Sequence, residues 1–220
     1  MHRIAAAVVL TTLVAGATPT LHAQGRDRGL MEMPSRDLRH GFYFTGVLGA
    51  GREQCKFETA ACGVLDVNGL PLPSHGATWR TPVTSPSFAL RLGGTPNGST
   101  RIGAELLGWS ADNGPTTEST VGLLGNVQLY PSKRAGFYLK GGLGYAWSTV
   151  DFHDRSKATD NGFIFNAGAG YEIAVSRNVS IGPIVDFYQA SYASRVGDET
   201  LSERILLVGL SITFQSGNRR

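Results

Sequence analysis

The sequence predicts an all-β chain, an eight-stranded antiparallel transmembrane β-barrel, and three observations predict it. The first is a period of two in which one face is bulky and apolar while the other is glycine or polar. Phe137, Leu139, Leu143, Tyr145 and Trp147 alternate in this way with Tyr138, Lys140, Gly142, Gly144 and Ser148. A soluble sandwich turns its bulk inward and its Lys, Thr and Glu outward. A narrow barrel in lipid does the reverse and packs glycines and a few charges inside. The second observation is composition: Gly is 29 of 220 residues while hydrophobic residues are only 41%, against a usual glycine share of about 7%. The third is that no stretch beyond Gly25 approaches the roughly 20 apolar residues a spanning helix needs, so any insertion must be by strands.

The N-terminal segment has a basic start (His2, Arg3), an apolar run from Ile4 to Ala17 and small residues before Ala23, the three-part pattern of a secretory signal peptide over residues 1–23. The apolar run is too short for a membrane anchor. Residues 24–40 are charged and without period, a mobile periplasmic extension. Removing Arg3 takes the formal charge from +3 to +2, too weak a basic field to expect nucleic acid as a partner.

The barrel is expected over residues 41–215, followed by a tail at 216–220. Residues 41–51 alternate and open with two aromatics, the first strand. Residues 52–84, rich in Gly and Pro and holding Trp79, form the first and longest external loop, the place to expect an extracellular ligand. Cys55 and Cys62 fall in that loop, in a chain that leaves the cytoplasm, and are expected to form a disulfide that staples it. His75 alone does not complete a metal site around them, so no metal is expected.

The remaining strands fall at 85–93, 100–110, 117–130, 136–152, 163–173, 179–190 and 200–214. Between the second and third lies a tight turn at 95–99, with Asn97 and Gly98 expected to supply positive φ. The turns at 95–99, 131–135 and 175–178 are tight, whereas the connections at 52–84, 111–115, 153–160 and 191–199 are longer or more polar. That alternation, with an even strand count, is the asymmetry of periplasmic turns against external loops.

Strand parity places Arg91, Arg101, Glu105, Glu118, Lys140, Glu172, Asp186 and Glu203 in the lumen. Buried charges are tolerated only when paired, so these are expected to form a salt-bridge and hydrogen-bond network that fills the barrel. A barrel of eight strands leaves room for side chains and little else, which ranks a conducting pore low. Phe42, Tyr43, Trp109, Tyr130, Trp147, Phe187 and Tyr188 lie near strand ends, where aromatic girdles anchor a barrel at the two membrane surfaces. The histidines after the signal peptide are His40, His75 and His153, and none forms an HxS arrangement on a strand; His153, beside Asp151 and Asp154, reads as exposed loop charge. No catalytic residue and no cofactor are expected.

The first strand GFYFTGVLGAG, the block FYLKGGLGYAW and the hairpin NAGAGYEIAVSRNVSIGPIVDF give residues 41–214 a pattern that resembles the small outer-membrane barrel superfamily of Gram-negative bacteria, the OmpA/OmpX-like and opacity-type porin-like barrels. The resemblance implies the outer membrane as location, lipid and lipopolysaccharide as surroundings, assembly by the barrel-assembly machinery and a monomeric, non-enzymatic role in envelope structure and surface contact. Adhesion or resistance to host defence is implied for some relatives. Such barrels commonly end on an aromatic residue; here Phe214 is followed by QSGNRR. Two other readings are open to the residues. A soluble periplasmic lipocalin-like barrel would bind an apolar ligand with its bulky faces inward. A barrel enzyme modifying lipid A would depend on His75 or His153.

Overall fold

The computed structural model describes residues 39–57, 60–65, 71–73, 79–112, 116–132, 135–152, 157–193 and 200–216. In chain order the strands are β1 (Gly41–Phe57), β2 (Ala60–Leu65), β3 (Pro71–Pro73), β4 (Val83–Asn97), β5 (Thr100–Asp112), β6 (Thr116–Leu129), β7 (Phe137–Phe152), β8 (Ala158–Tyr171), β9 (Ile173–Ala174), β10 (Val179–Ala193) and β11 (Thr200–Ser216). Eight of them, β1, β4, β5, β6, β7, β8, β10 and β11, pair antiparallel in sequence order, and β11 pairs with both β10 and β1. The sheet therefore closes on itself, leaving no open edge in the wall. The short β9 extends the β8 edge along β10, and β2 pairs with β3 inside the first long connection.

The wall strands run from 13 to 17 residues, more than the roughly 9–11 that a tilted strand needs to cross hydrocarbon. The excess lies at the end that carries the long connections, here named the loop end. β1 does not stop at Gly51: Arg52 to Phe57 continue the ladder against Leu206 to Leu201 of β11, and β4 starts at Val83. The first external connection is thus residues 58–82, and Cys55 belongs to the wall. A polar stretch reads as loop, yet beyond an apolar belt both faces of a strand can be polar. The turn at 97–100 also differs from expectation. No described residue other than Gly41 has positive φ, and the Asn97 side-chain oxygen instead accepts from the Ser99 N–H at 2.9 Å, an Asx turn.

The two faces divide by parity. Outward lie Phe42, Leu48, Leu92, Leu143, Phe163, Val208 and Leu210, among many others, with Leu143 and Phe163 at 74% and 78% exposure. Inward lie arginines, carboxylates, tyrosines and an apolar cluster including Val47, Leu107, Leu124, Ile164 and Leu207. Bulk outside and charge inside is the inverse of a lipocalin-like pocket, and the apolar-ligand reading fails on that geometry.

Inward glycines have a specific use: they seat the large side chains that fill the lumen. A Cβ at Gly51 would stand 2.6 Å from the Trp109 ring, at Gly103 it would meet the Leu92 carbonyl and, at 2.6 Å, the Tyr43 hydroxyl, and at Gly170 the Tyr138 ring at 2.5 Å. The same logic places Gly168 beneath the Asp186 carboxylate.

The signal peptide at 1–23, most of the extension at 24–40, His75, His153 and the last four residues of the 216–220 tail lie outside the described residues, as do the side chains of β2, Cys62 included. The extension's last residues are described, and Arg39 is no mobile lead-in. It is 4% exposed and donates to the Ala135 carbonyl at 2.7 Å.

Candidate functional site: a charged lumen and a two-sided rim

All eight charged residues assigned to the lumen by parity occupy inward positions, and they sort into three levels. At mid-height Glu105 is the hub. It takes Arg91 Nε at 3.0 Å, Lys140 Nζ at 2.8 Å to each oxygen, Asn166 Nδ2 at 3.4 Å and the Tyr188 hydroxyl. Asp186 pairs with Arg91 and, at 3.0 Å, with Lys140. Two cations thus meet two carboxylates, all four side chains at most 1% exposed. A group so arranged is neutral as a whole and needs no counter-ion from water.

At the turn end Arg101 pairs with Glu172, donates to the Tyr130 hydroxyl at 2.6 Å and to Gln215 Oε1 at 2.8 Å. Arg39 stacks over the Tyr130 ring, 3.7 Å from its centroid. The loop end holds three carboxyl groups and one guanidinium, which meets two of them. Arg80, from the segment leading into β4, reaches Glu118 at 2.6 Å and Glu53 at 2.5 Å. Glu203 instead accepts from the Thr120 and Tyr192 hydroxyls, each at 2.6 Å. Burial opposes the charge on Arg80, but the hydrogen bond to Glu118 and the neighbouring carboxylates outweigh it and push its pKa above the ordinary guanidinium value. Between the mid-height and loop-end levels sit Leu107, Trp109, Leu124, Ile164 and Leu207 of the apolar cluster, which divide one polar level from the next.

The expected aromatic girdle is corrected at four of its seven positions. Tyr43, Trp109, Tyr130 and Tyr188 are 0–3% exposed and face the lumen, whereas Phe42 and Trp147, at 55% and 39%, face outward with the half-buried Phe187. The reason is chemical. For three of the four a phenol hydroxyl or indole N–H needs a partner when it leaves water, and the partners lie inside: Glu105 for Tyr188, Arg101 for Tyr130, and the Gly51 carbonyl for Trp109 at 3.0 Å; the fourth, Tyr43, presents its ring to the Arg101 guanidinium 5.0 Å away. Phe has no such need and takes the apolar side.

Sequence reasoning also missed Glu53, Arg80 and Arg39. Glu53 was within reach of the parity rule had the first strand been carried past Gly51. Arg80 has no local signal, because it enters the mouth through an irregular segment: its N–H donates to the Cys55 carbonyl at 2.9 Å, and its own carbonyl accepts from Gln54 Nε2 at 3.0 Å. Cys55 is buried on the inner side of β1. The Cys55–Cys62 pairing itself involves a side chain outside the described residues.

The outer side of the same rim is basic. Arg52, Gln54 and Lys56 face outward on β1, and Gln54 pairs in register with Arg204 of β11, whose Nε donates to Gln54 Oε1 at 2.9 Å. Trp79 lies between the cations, with the Arg204 guanidinium 4.1 Å and Lys56 Nζ 5.1 Å from its ring centroid.

No protein-family model and no curated protein matches the chain. Among solved structures it is similar to Neisserial surface protein A, at 14% identity over 80% of this chain and 97% of that one, with a TM-score of 0.48. It is similar also to the outer membrane protein OprG from Pseudomonas aeruginosa (13% identity, 82% and 99% covered, TM-score 0.44) and to the attachment invasion locus protein Ail of Yersinia pestis (10%, 78% and 99%, 0.44). At these identities the likeness is one of fold alone.

Proposed function

We propose that the chain is a non-enzymatic barrel of a Gram-negative outer membrane, surrounded by lipid and lipopolysaccharide and acting through its loop end in envelope structure and surface contact. One observation supports this above the others: an apolar belt encircles a lumen whose mid-height charges are matched from within. A wall with that outer face is stable in hydrocarbon, and a lumen so filled conducts little, so contact with partners falls to the rims. Export by the signal peptide, insertion by the barrel-assembly machinery, a monomeric state and the Cys55–Cys62 disulfide belong to the same proposal. So does the first loop as the contact site for an extracellular ligand.

The test is fractionation of cells expressing the full chain, with gel migration of the envelope fraction before and after boiling, and conductance of the purified protein in planar bilayers. The expected result is recovery with the outer membrane, a mobility shift on boiling and no steady conductance. Release with soluble periplasm and no shift would overturn the membrane assignment, and stable channels would overturn the sealed lumen. The enzyme alternative is tested by lipid A profiles of cells carrying His75→Ala or His153→Ala: a profile that changes with either variant brings it back.

A further inference from the structure

We propose that the outer rim at the β1–β11 seam is a binding site for the phosphate group of an anionic outer-leaflet glycolipid, held by Arg52, Lys56 and Arg204 with Trp79 at the water–lipid boundary. The inference rests on the membrane reading above and goes beyond it by assigning a site. Three cations share one outward patch: Arg52 and Lys56 lie on the same face of β1, and Arg204 sits across from the residue between them. Same-face neighbours on a strand are about 6.6 Å apart, so Arg52 and Lys56, two such steps apart, stand about 13 Å from each other along β1 with Arg204 opposite the midpoint, a span that their long side chains can close around one headgroup.

No ion pair joins any of the three to a carboxylate among the described residues, and the described acids of the two seam strands, Glu53 and Glu203, point the other way, into the lumen. Arg204 and Lys56 are steadied by the Trp79 ring instead, and both stay partly exposed. Cations so grouped repel one another until an anion joins them.

The height of the patch selects the anion. Arg52 stands in register with Leu206, and one pair further down the same outward face Ala50 meets Val208, followed by Leu48 and Leu210 at 71% and 67% exposure. Arg52, the lowest of the three, therefore sits directly on the apolar belt, and Arg204 and Lys56 rise above it with a tryptophan beside them, the height at which a lipid phosphate lies when its acyl chains run down the belt. Planar guanidinium groups on Arg52 and Arg204 suit bidentate contact with phosphate oxygens, while Lys56 acts as a point charge. A soluble anion would gain nothing from the belt below.

The experiment is a titration of diphosphoryl lipid A into the full chain folded in zwitterionic micelles, repeated with lipid A stripped of its phosphates. Each cation at a membrane surface counts for about fivefold in affinity, so R52Q/K56Q/R204Q is expected to bind about 100-fold more weakly than the parent chain. Stripped lipid A should bind the parent no better than intact lipid A binds that variant, and added salt should weaken only the parent. Arg177→Gln, an exposed cation in the turn at the opposite end, should change nothing. Heat-modifiable migration checks that each variant is folded; should the triple variant fail, K56Q/R204Q gives the same reading at about 25-fold by the same constant. Binding within threefold of the parent by a folded variant overturns the site, as does equal binding of stripped lipid A. If dextran sulfate binds the patch in zwitterionic micelles and lipid A does not, the partner is a soluble polyanion and the lipid assignment falls. A protein that pellets with the outer membrane yet fails this titration loses the site and keeps the membrane reading.

Discussion

Glu105→Gln tests whether the mid-height network holds the barrel together. The substitution keeps shape and removes one charge, leaving Arg91 and Lys140 to share Asp186 in a space with no access to water. Removing one partner of a buried ion pair costs about 3–5 kcal/mol, because the remaining charge stays desolvated. The new amide still accepts from Tyr188, which puts the expected loss at the lower end, about 3 kcal/mol. With a urea dependence of roughly 1–3 kcal/mol per molar, the unfolding midpoint should fall by about 1–3 M. The measurement is urea unfolding of the protein in phosphatidylcholine vesicles, followed by gel mobility and tryptophan fluorescence. Adding Lys140→Met restores neutrality, with Arg91 facing Asp186 alone. The double variant should therefore recover at least half of the loss, a coupling of about 1.5 kcal/mol or more. An unchanged midpoint in Glu105→Gln, or losses in the two single variants that simply add, would refute the idea that matched charge stabilises the lumen.

Five further variants probe the same packing and are read in the same unfolding assay. Gly170→Ala should cost about 1–3 kcal/mol, since its Cβ would stand 2.5 Å from the Tyr138 ring. Gly125→Ala, outward and 3.9 Å from the nearest atom, should stay within about 0.5 kcal/mol; equal losses would show that glycine acts here through the backbone and not as a seat. Tyr188→Phe should lose about 2 kcal/mol with its hydrogen bond to Glu105. Tyr43→Phe should be neutral or slightly stabilising, because its buried hydroxyl has no hydrogen-bond partner among the described residues. Leu143→Arg, 74% exposed at the middle of the outer face, should cost about 2–4 kcal/mol in vesicles, where a site on an aqueous surface would tolerate it.

The wall was legible in the sequence because alternation is a local property. Phe137 to Ser148 state which side is which without reference to any other strand, and the eight lumen charges follow from parity alone. The girdle was misread by setting parity aside: Phe42 and Tyr43 are neighbours, as are Phe187 and Tyr188, and adjacent strand residues cannot face the same way. At 187 and 188 the choice needs the hydroxyl, which goes to Glu105, and at 42 and 43 it follows the ring of Tyr43, which packs against the Arg101 guanidinium inside. Other features were out of reach. That Gly51 seats Trp109, or that Gly103 seats Tyr43, depends on the stagger between strands and on side chains that approach across the lumen. Arg80 needed the path of an irregular segment that no period describes.

The loop end gains its chemistry from one strand seen from both sides. Along β1, Arg52, Gln54 and Lys56 face out while Glu53 and Cys55 face in, so cations and an acid alternate within five residues and end up on opposite surfaces. The connection returning to β4 repeats the division in two consecutive residues: Trp79 lies outside among Arg204 and Lys56, and Arg80 lies inside among Glu53 and Glu118. A chain pinned on both faces of the wall at the same height has its root fixed by the barrel. The charge pattern of the described rim therefore belongs to the strands together with the Trp79–Arg80 root of the first loop.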